Sequence, residues 1–203
     1  MKTVFIDPKH CVGCRHCELA CSRAHQKSAL PLNSESPKPR IKIQPGVDFL
    51  TYPVRCRHCN PAPCIESCPT EALYRDPEHE TVLVRDDQCI SCGICAQECP
   101  FGAISFVFSP ELGKDVAYKC DNCLEKVKNG GEPACVQACK TGALRYGEAN
   151  ELVSEARKGI VFDLTRDIQG MEPENIPANM EAFHAVCAKL AEIGPMHSSR
   201  KSI

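Results

Sequence analysis

Short apolar runs recur along the chain, each cut off by polar or turn-forming residues before it can grow into a long helix. Thr3-Val4-Phe5-Ile6-Asp7 and Thr81-Val82-Leu83-Val84-Arg85 each read as a short strand ending in a turn. Thr70-Glu71-Ala72-Leu73, Phe101-Gly102-Ala103-Ile104 and Thr141-Gly142-Ala143-Leu144 share a second pattern, a turn that opens into another short strand. These recurrences form an internal repeat. Beyond residue 148 the pattern changes. Gly159 to Leu164 predicts a strand and Met171 to Pro177 a loop. Residues 179–193 predict an amphipathic helix capped at Asn179, with Met180, Phe183, Cys187 and Leu190 on one face and a stop at Gly194-Pro195.

What the runs enclose is cysteine. Sixteen of the 17 cysteines fall into four groups: Cys11, Cys14, Cys17, Cys21; Cys56, Cys59, Cys64, Cys68; Cys89, Cys92, Cys95, Cys99; and Cys120, Cys123, Cys135, Cys139. Each group closes with a three-residue gap before its last cysteine. A cubane [4Fe–4S] cluster needs four thiolates around a compact core. Two-residue gaps let one short loop wrap three corners, while the cysteine after the longer gap sits a helical turn away and can reach a different cluster. Groups one and three share the short spacing, and groups two and four share a stretched middle gap, so two kinds of half-site alternate and two two-cluster modules are expected. Thr3 to Asp7 precedes Cys11 by the offset at which Thr81 to Arg85 precedes Cys89. Zinc also favours paired cysteines, but usually as two pairs across a longer loop, often with histidine. A disulfide framework fits an oxidising compartment, and no signal segment opens the chain.

Composition sharpens this picture. The 203 residues include no tryptophan, 7 phenylalanines and 16 prolines, so little apolar material lies outside the cysteine loops. Metal sites then have to serve as core, and metal insertion becomes inseparable from folding. The formal charge of −2 counts ligand thiols as neutral. Sixteen thiolates around four cores of about +2 each add roughly −8, which argues against nucleic-acid binding. Basic residues nevertheless crowd the loops: Arg15, His16, Arg55, Arg57, His58 and Lys119. They read either as solvated charge or as cations that tune a nearby cluster. No run approaches the length of a membrane span. The expectation is a cytoplasmic protein, at most peripheral to a membrane complex.

With these groups and spacings, including the long gap between Cys123 and Cys135, the chain resembles the four-cluster electron-transfer subunits of the dimethyl sulfoxide reductase iron–sulfur type. Relatives in that family serve formate dehydrogenases, hydrogenases, carbon monoxide dehydrogenases and aldehyde oxidoreductases. The resemblance covers roughly residues 1–148. It implies an α+β fold of two nested bacterial-ferredoxin-like modules, an outer one from 1–50 and 110–148 and an inserted one from 51–109, followed by a C-terminal extension, 149–203. It also implies the ligand sets. One cluster takes Cys11, Cys14, Cys17 and Cys139, and its neighbour Cys120, Cys123, Cys135 and Cys21. A third takes Cys56, Cys59, Cys64 and Cys99, and the fourth Cys89, Cys92, Cys95 and Cys68. Spacing alone gives only the cross-over habit. Ser22 and Lys140 stand where a ferredoxin often has proline.

If every iron carries a cysteine, none is open to substrate. The chain is then expected to carry single electrons through four [4Fe–4S] clusters between a larger catalytic oxidoreductase subunit and a second redox protein or further copies of itself, without being an enzyme. No Gly-x-Gly-x-x-Gly fingerprint follows a strand and no Walker loop is present, so nucleotide chemistry belongs to partners. Two other readings stay open. A structural multi-zinc protein would be colourless when purified without oxygen. An enzyme using one labile cluster would show substrate-dependent change in that cluster's spectrum. His16 and His58 are expected beside the ligands rather than among them, and Cys187 as a buried structural thiol. The 179–193 helix, with Met180, Phe183 and Leu190, is the expected partner-docking element.

Overall fold

A computed structural model describes residues 2–26, 38–47, 50–169, 185 and 189. The chain divides into two compact units, Met1–Leu152 and Val153–Ile203. In the first, four two-stranded antiparallel sheets carry short helices between them.

β1 (Lys2–Ile6) pairs with β8 (Leu144–Glu148), bringing the two ends of the unit together. β2 (Lys42–Pro45) pairs with β3 (Thr51–Val54), β4 (Leu73–Arg75) with β5 (Val82–Val84), and β6 (Ser105–Ser109) with β7 (Lys114–Tyr118). The apolar runs before Cys11 and Cys89 thus appear as β1 and β5, and the runs after Cys68, Cys99 and Cys139 as β4, β6 and β8. β3 and β7 lead into Cys56 and Cys120. The expected module boundaries at 50/51 and 109/110 fall in or beside the turns of the β2–β3 and β6–β7 hairpins.

The helices are α1 (His16–Ala24), α2 (Pro63–Glu66), α3 (Ile94–Gln97), α4 (Leu124–Lys128) and α5 (Ala134–Gln137). Proline at the first position favours α2 because its fixed φ suits the helix and its missing N–H has no partner to lose there. α1 packs against α5, and α2 against α3.

The interior divides accordingly. One cluster of buried side chains joins Val4, Ile6, Ile41, Ile43 and Leu144 to Cys17, Cys21 and Cys135. The other joins Ala72, Leu73, Val82, Ile104 and Val116 to Cys89 and Cys95. Each half buries few large side chains, and cysteine makes up a sizeable part of both.

The final described element is α6 (Ala149–Gln169). Its first turn seats Leu152 on Gly147. The strand expected over 159–164 is instead helix. The run of good helix formers Ser154-Glu155-Ala156-Arg157-Lys158 leads into it and outweighs one glycine and two β-branched residues. No helix among the described residues is long and apolar enough to cross a membrane. Met180, Phe183, Cys187 and Leu190 lie outside the described residues, so the docking face expected of them is not placed.

Candidate iron–sulfur sites

The four cysteine loops share a backbone device. The second residue after each opening cysteine is left-handed: Gly13 at φ 69°, His58 at 51°, Ser91 at 60° and Asn122 at 58°. This bend turns the following N–H groups inward. His58 N–H donates to Cys56 Sγ at 3.4 Å, and Asn122 N–H to Cys120 Sγ at 3.4 Å. A left-handed non-glycine residue costs roughly 1–2 kcal/mol, so the loops carry strain to aim donors at sulfur. At Gly13 a side chain is excluded twice over, by φ and by Thr51 Cγ2, which a Cβ would meet at 3.0 Å. The turns after three of the closing cysteines repeat the device at Glu71, Gly102 and Gly142. After Cys21 the chain stays helical as far as Ala24.

These loops gather cysteines from distant groups. Cys11, Cys14, Cys17 and Cys139 line one pocket, together with Val12, Ile43, Pro53 and Leu144. A second is lined by Cys89, Cys92, Cys95 and Cys68, together with Leu73, Ile90 and Phe106. Cys135 lies within electrostatic reach of Cys120, Cys123 and Cys21, and Cys64 within reach of Cys56 and Cys99. All sixteen grouped cysteines are free thiols. Cys17 and Cys21, four residues apart on one face of α1, are both buried.

Burial governs the thiols. It pushes Cys17 up to about 12, with the Glu18 carboxylate adding to the effect against a backbone hydrogen bond. It pushes Cys95 and Cys123 to about 11, helped by neighbouring thiols and, for Cys123, by Asp121, and it raises Cys135 further. Such groups give up their protons only to a metal, which couples loading to folding. Cys120 goes the other way: burial opposes ionisation, but the Arg55 guanidinium more than offsets it. Cys68 and Cys139 are also lowered. Against burial, backbone N–H groups of Leu73 and Leu144 favour the thiolates, helped by Thr70 and Thr141. A donor set of soft sulfurs, with a backbone N–H aimed at one sulfur of each group, suits a sulfide-bridged iron core.

Beyond the cysteines, sequence reasoning missed a polar clamp. His25 Nδ1 donates to the Cys21 carbonyl at 2.8 Å and Nε2 meets Asp121 Oδ1 at 3.0 Å. Arg40 also pairs with Asp121 and lies 4.9 Å over the Tyr118 ring. Its backbone N–H donates to Cys21 Sγ at 3.3 Å. Burial would lower His25, but the bond to Asp121 dominates and lifts it to about 10. Asp121 is held well below the carboxylate range by His25 and Arg40, despite burial. The clamp ties the end of α1 to the Cys120 loop. No local pattern announces it, because its members come from three separate segments.

Of the two histidines expected near ligands, His16 is exposed. His58 is largely buried, and burial, then Lys119 and Arg55, drives it to about 2, so it is neutral. Val82 N–H donates to His58 Nδ1 at 3.1 Å, which leaves the proton on Nε2, an atom buried without a partner.

A family model described as a 4Fe-4S dicluster domain matches residues 47–149. Among curated proteins, the chain is 37% identical over 162 residues to the electron transport protein HydN of Escherichia coli (strain K12), covering 73% of this chain and 89% of that one. It is 35% identical over 150 residues to the thiosulfate reductase electron transfer subunit PhsB of Salmonella typhi, covering 71% and 74%. It is also 37% identical over 172 residues to the putative oxidoreductase UacF of Escherichia coli (strain K12), covering 83% of this chain but spanning only 25% of UacF.

Proposed function

Since the chain belongs to the family built on the 4Fe-4S dicluster domain, we propose that it carries electrons through four [4Fe–4S] clusters between a catalytic oxidoreductase subunit and a second redox partner. It is an electron-transfer protein rather than a catalyst, as its relatives' names indicate. Within that family, the finer reading is a subunit of the dimethyl sulfoxide reductase iron–sulfur type, with two nested modules.

The observation that carries the four-cluster reading is the pair of pockets, each lined by three cysteines of one group and the closing cysteine of another. The remaining ligands would be Cys120, Cys123, Cys135 and Cys21, and Cys56, Cys59, Cys64 and Cys99. The pairing of α1 with α5 and of α2 with α3 supports the same division. A bound cluster supplies one-electron storage with little change in shape. The chain's own part is to saturate iron with thiolate, aim N–H donors at sulfur, and exclude water with side chains such as Leu73 and Phe106.

Anaerobic purification with iron and sulfide analysis tests this. Four cubanes require about 16 iron and about 16 acid-labile sulfides per chain. About four zinc atoms and no sulfide would overturn it.

A further inference from the structure

Two buried cations lie beside the Cys56 and Cys120 loops. Arg55 immediately precedes Cys56, is 2% exposed, and reaches over to the other loop. Its Nη2 donates to Asn122 Oδ1 at 2.9 Å and to Cys120 Sγ at 3.5 Å. Lys119 immediately precedes Cys120 and is 4% exposed. Its Nζ donates to the carbonyl of Val82, on β5, and to that of Cys120 at 2.9 Å. The ammonium is also the strongest charge acting on Cys56.

No carboxylate is bonded to either cation among the described contacts. Asp121, the acid nearest in sequence, is taken by His25 and Arg40. Burying a cation without a counter-charge costs several kcal/mol, so something anionic has to face these two. Arg55 Nε points the same way, as a guanidinium donor buried with no partner. Cluster sulfides and thiolates supply both the missing charge and the missing acceptors.

We propose that Arg55 and Lys119 are redox-positioning residues: Arg55 is lent by the Cys56 loop to the Cys120 loop, Lys119 is held buried between Cys120 and β5, and together they raise the reduction potentials at the Cys56 and Cys120 sites above those at the Cys11 and Cys89 sites. The inference rests on the ligand sets given above. Its physical basis is that a reduced cluster is more negative by one charge than its oxidised form. A buried cation therefore favours reduction, while potentials also follow hydrogen bonds to sulfur and solvent exposure. The Cys56 and Cys120 sites hold both buried cations, whereas the cations at the Cys11 and Cys89 sites, Arg15 and Lys114, are exposed or only partly buried, and those sites are lined by Val12 or Ile90, both well exposed. Electrons entering from either end would settle at the boundary between modules, which then stores charge until the second partner draws it off.

The test is an EPR-monitored redox titration of the full, cluster-loaded chain, with iron and sulfide counted in every sample. Signals are assigned by the variants Cys123→Ala and Cys59→Ala. In Arg55→Gln the signal assigned through Cys123 should become harder to reduce. At the potential where that cluster is half-reduced in the unmodified chain, its reduced-to-oxidised ratio should fall about tenfold, equivalent to about 59 mV for one electron. Lys119→Gln should do the same to the signal assigned through Cys59, and Arg55→Lys should keep most of the original potential. Equal shifts in all four signals, or no shift at full iron content, would overturn the proposal. Should a glutamine variant fail to load, the unmodified chain decides: the two assigned signals must be the first to reduce, and any other order refutes the inference. A chain with fewer than four clusters overturns the ligand sets themselves, and the iron count alone separates that failure from this one.

Discussion

Replacing Cys21 with alanine separates nested ligation from sequential ligation. Cys17 and Cys21 lie on one face of α1, about 6 Å apart along its axis at 1.5 Å per residue. That step is large on the scale of a cubane, so one helix can serve two neighbouring sites. Cys21 faces Cys123 and Cys135 and receives the Arg40 N–H, whereas Cys17 lines the pocket of Cys11, Cys14 and Cys139. The substitution removes one ligand of one site. Iron should fall by about one to four atoms of about 16, depending on whether a three-iron species survives. The decisive measurement is which EPR signal changes. Cys21→Ala should reproduce the spectrum of Cys123→Ala and leave intact the signal that Cys14→Ala removes. If Cys21→Ala instead matches Cys14→Ala, the first group keeps its own fourth cysteine and the nested arrangement is wrong.

Two further substitutions test what holds the outer half together. Glu18→Ala removes the carboxylate that accepts the Ile43 N–H at 2.6 Å; leaving that buried donor unsatisfied should cost about 1–3 kcal/mol, read as a lower midpoint in anaerobic denaturant titration, and an unchanged midpoint would mean that water replaces the carboxylate. Ile41→Ala empties a fully packed position, 1% exposed, and should cost about 2–5 kcal/mol; because this residue belongs to the same interior as Cys17, Cys21 and Cys135, the variant should lose iron faster to a chelator, and an unaltered rate would uncouple packing from cluster retention.

The type of site was legible in the sequence because ligand spacing is local chemistry. Two-residue gaps wrap three corners of a core wherever they occur, and the strands before Cys11 and Cys89 and after Cys68, Cys99 and Cys139 show as short runs cut by turns. Gly13 and, less strongly, Asn122 and His58 are residue types that favour a left-handed corner, but Ser91 adopts the same conformation without that preference. There the loop's closure, not the residue's preference, sets φ. The strand expected over 159–164 failed because a short apolar run is ambiguous between helix and strand and its helical neighbours decide. Pairing was beyond local reading altogether. That β1 meets β8, that α1 packs on α5, and that His25, Arg40 and Asp121 converge are outcomes of contacts between distant segments, which no spacing encodes. Arg55 and Lys119 stood in plain view as basic residues beside cysteines; only the tertiary structure carried Arg55 across to Cys120 and Lys119 to β5, because a side chain's reach depends on which segment the fold sets opposite it.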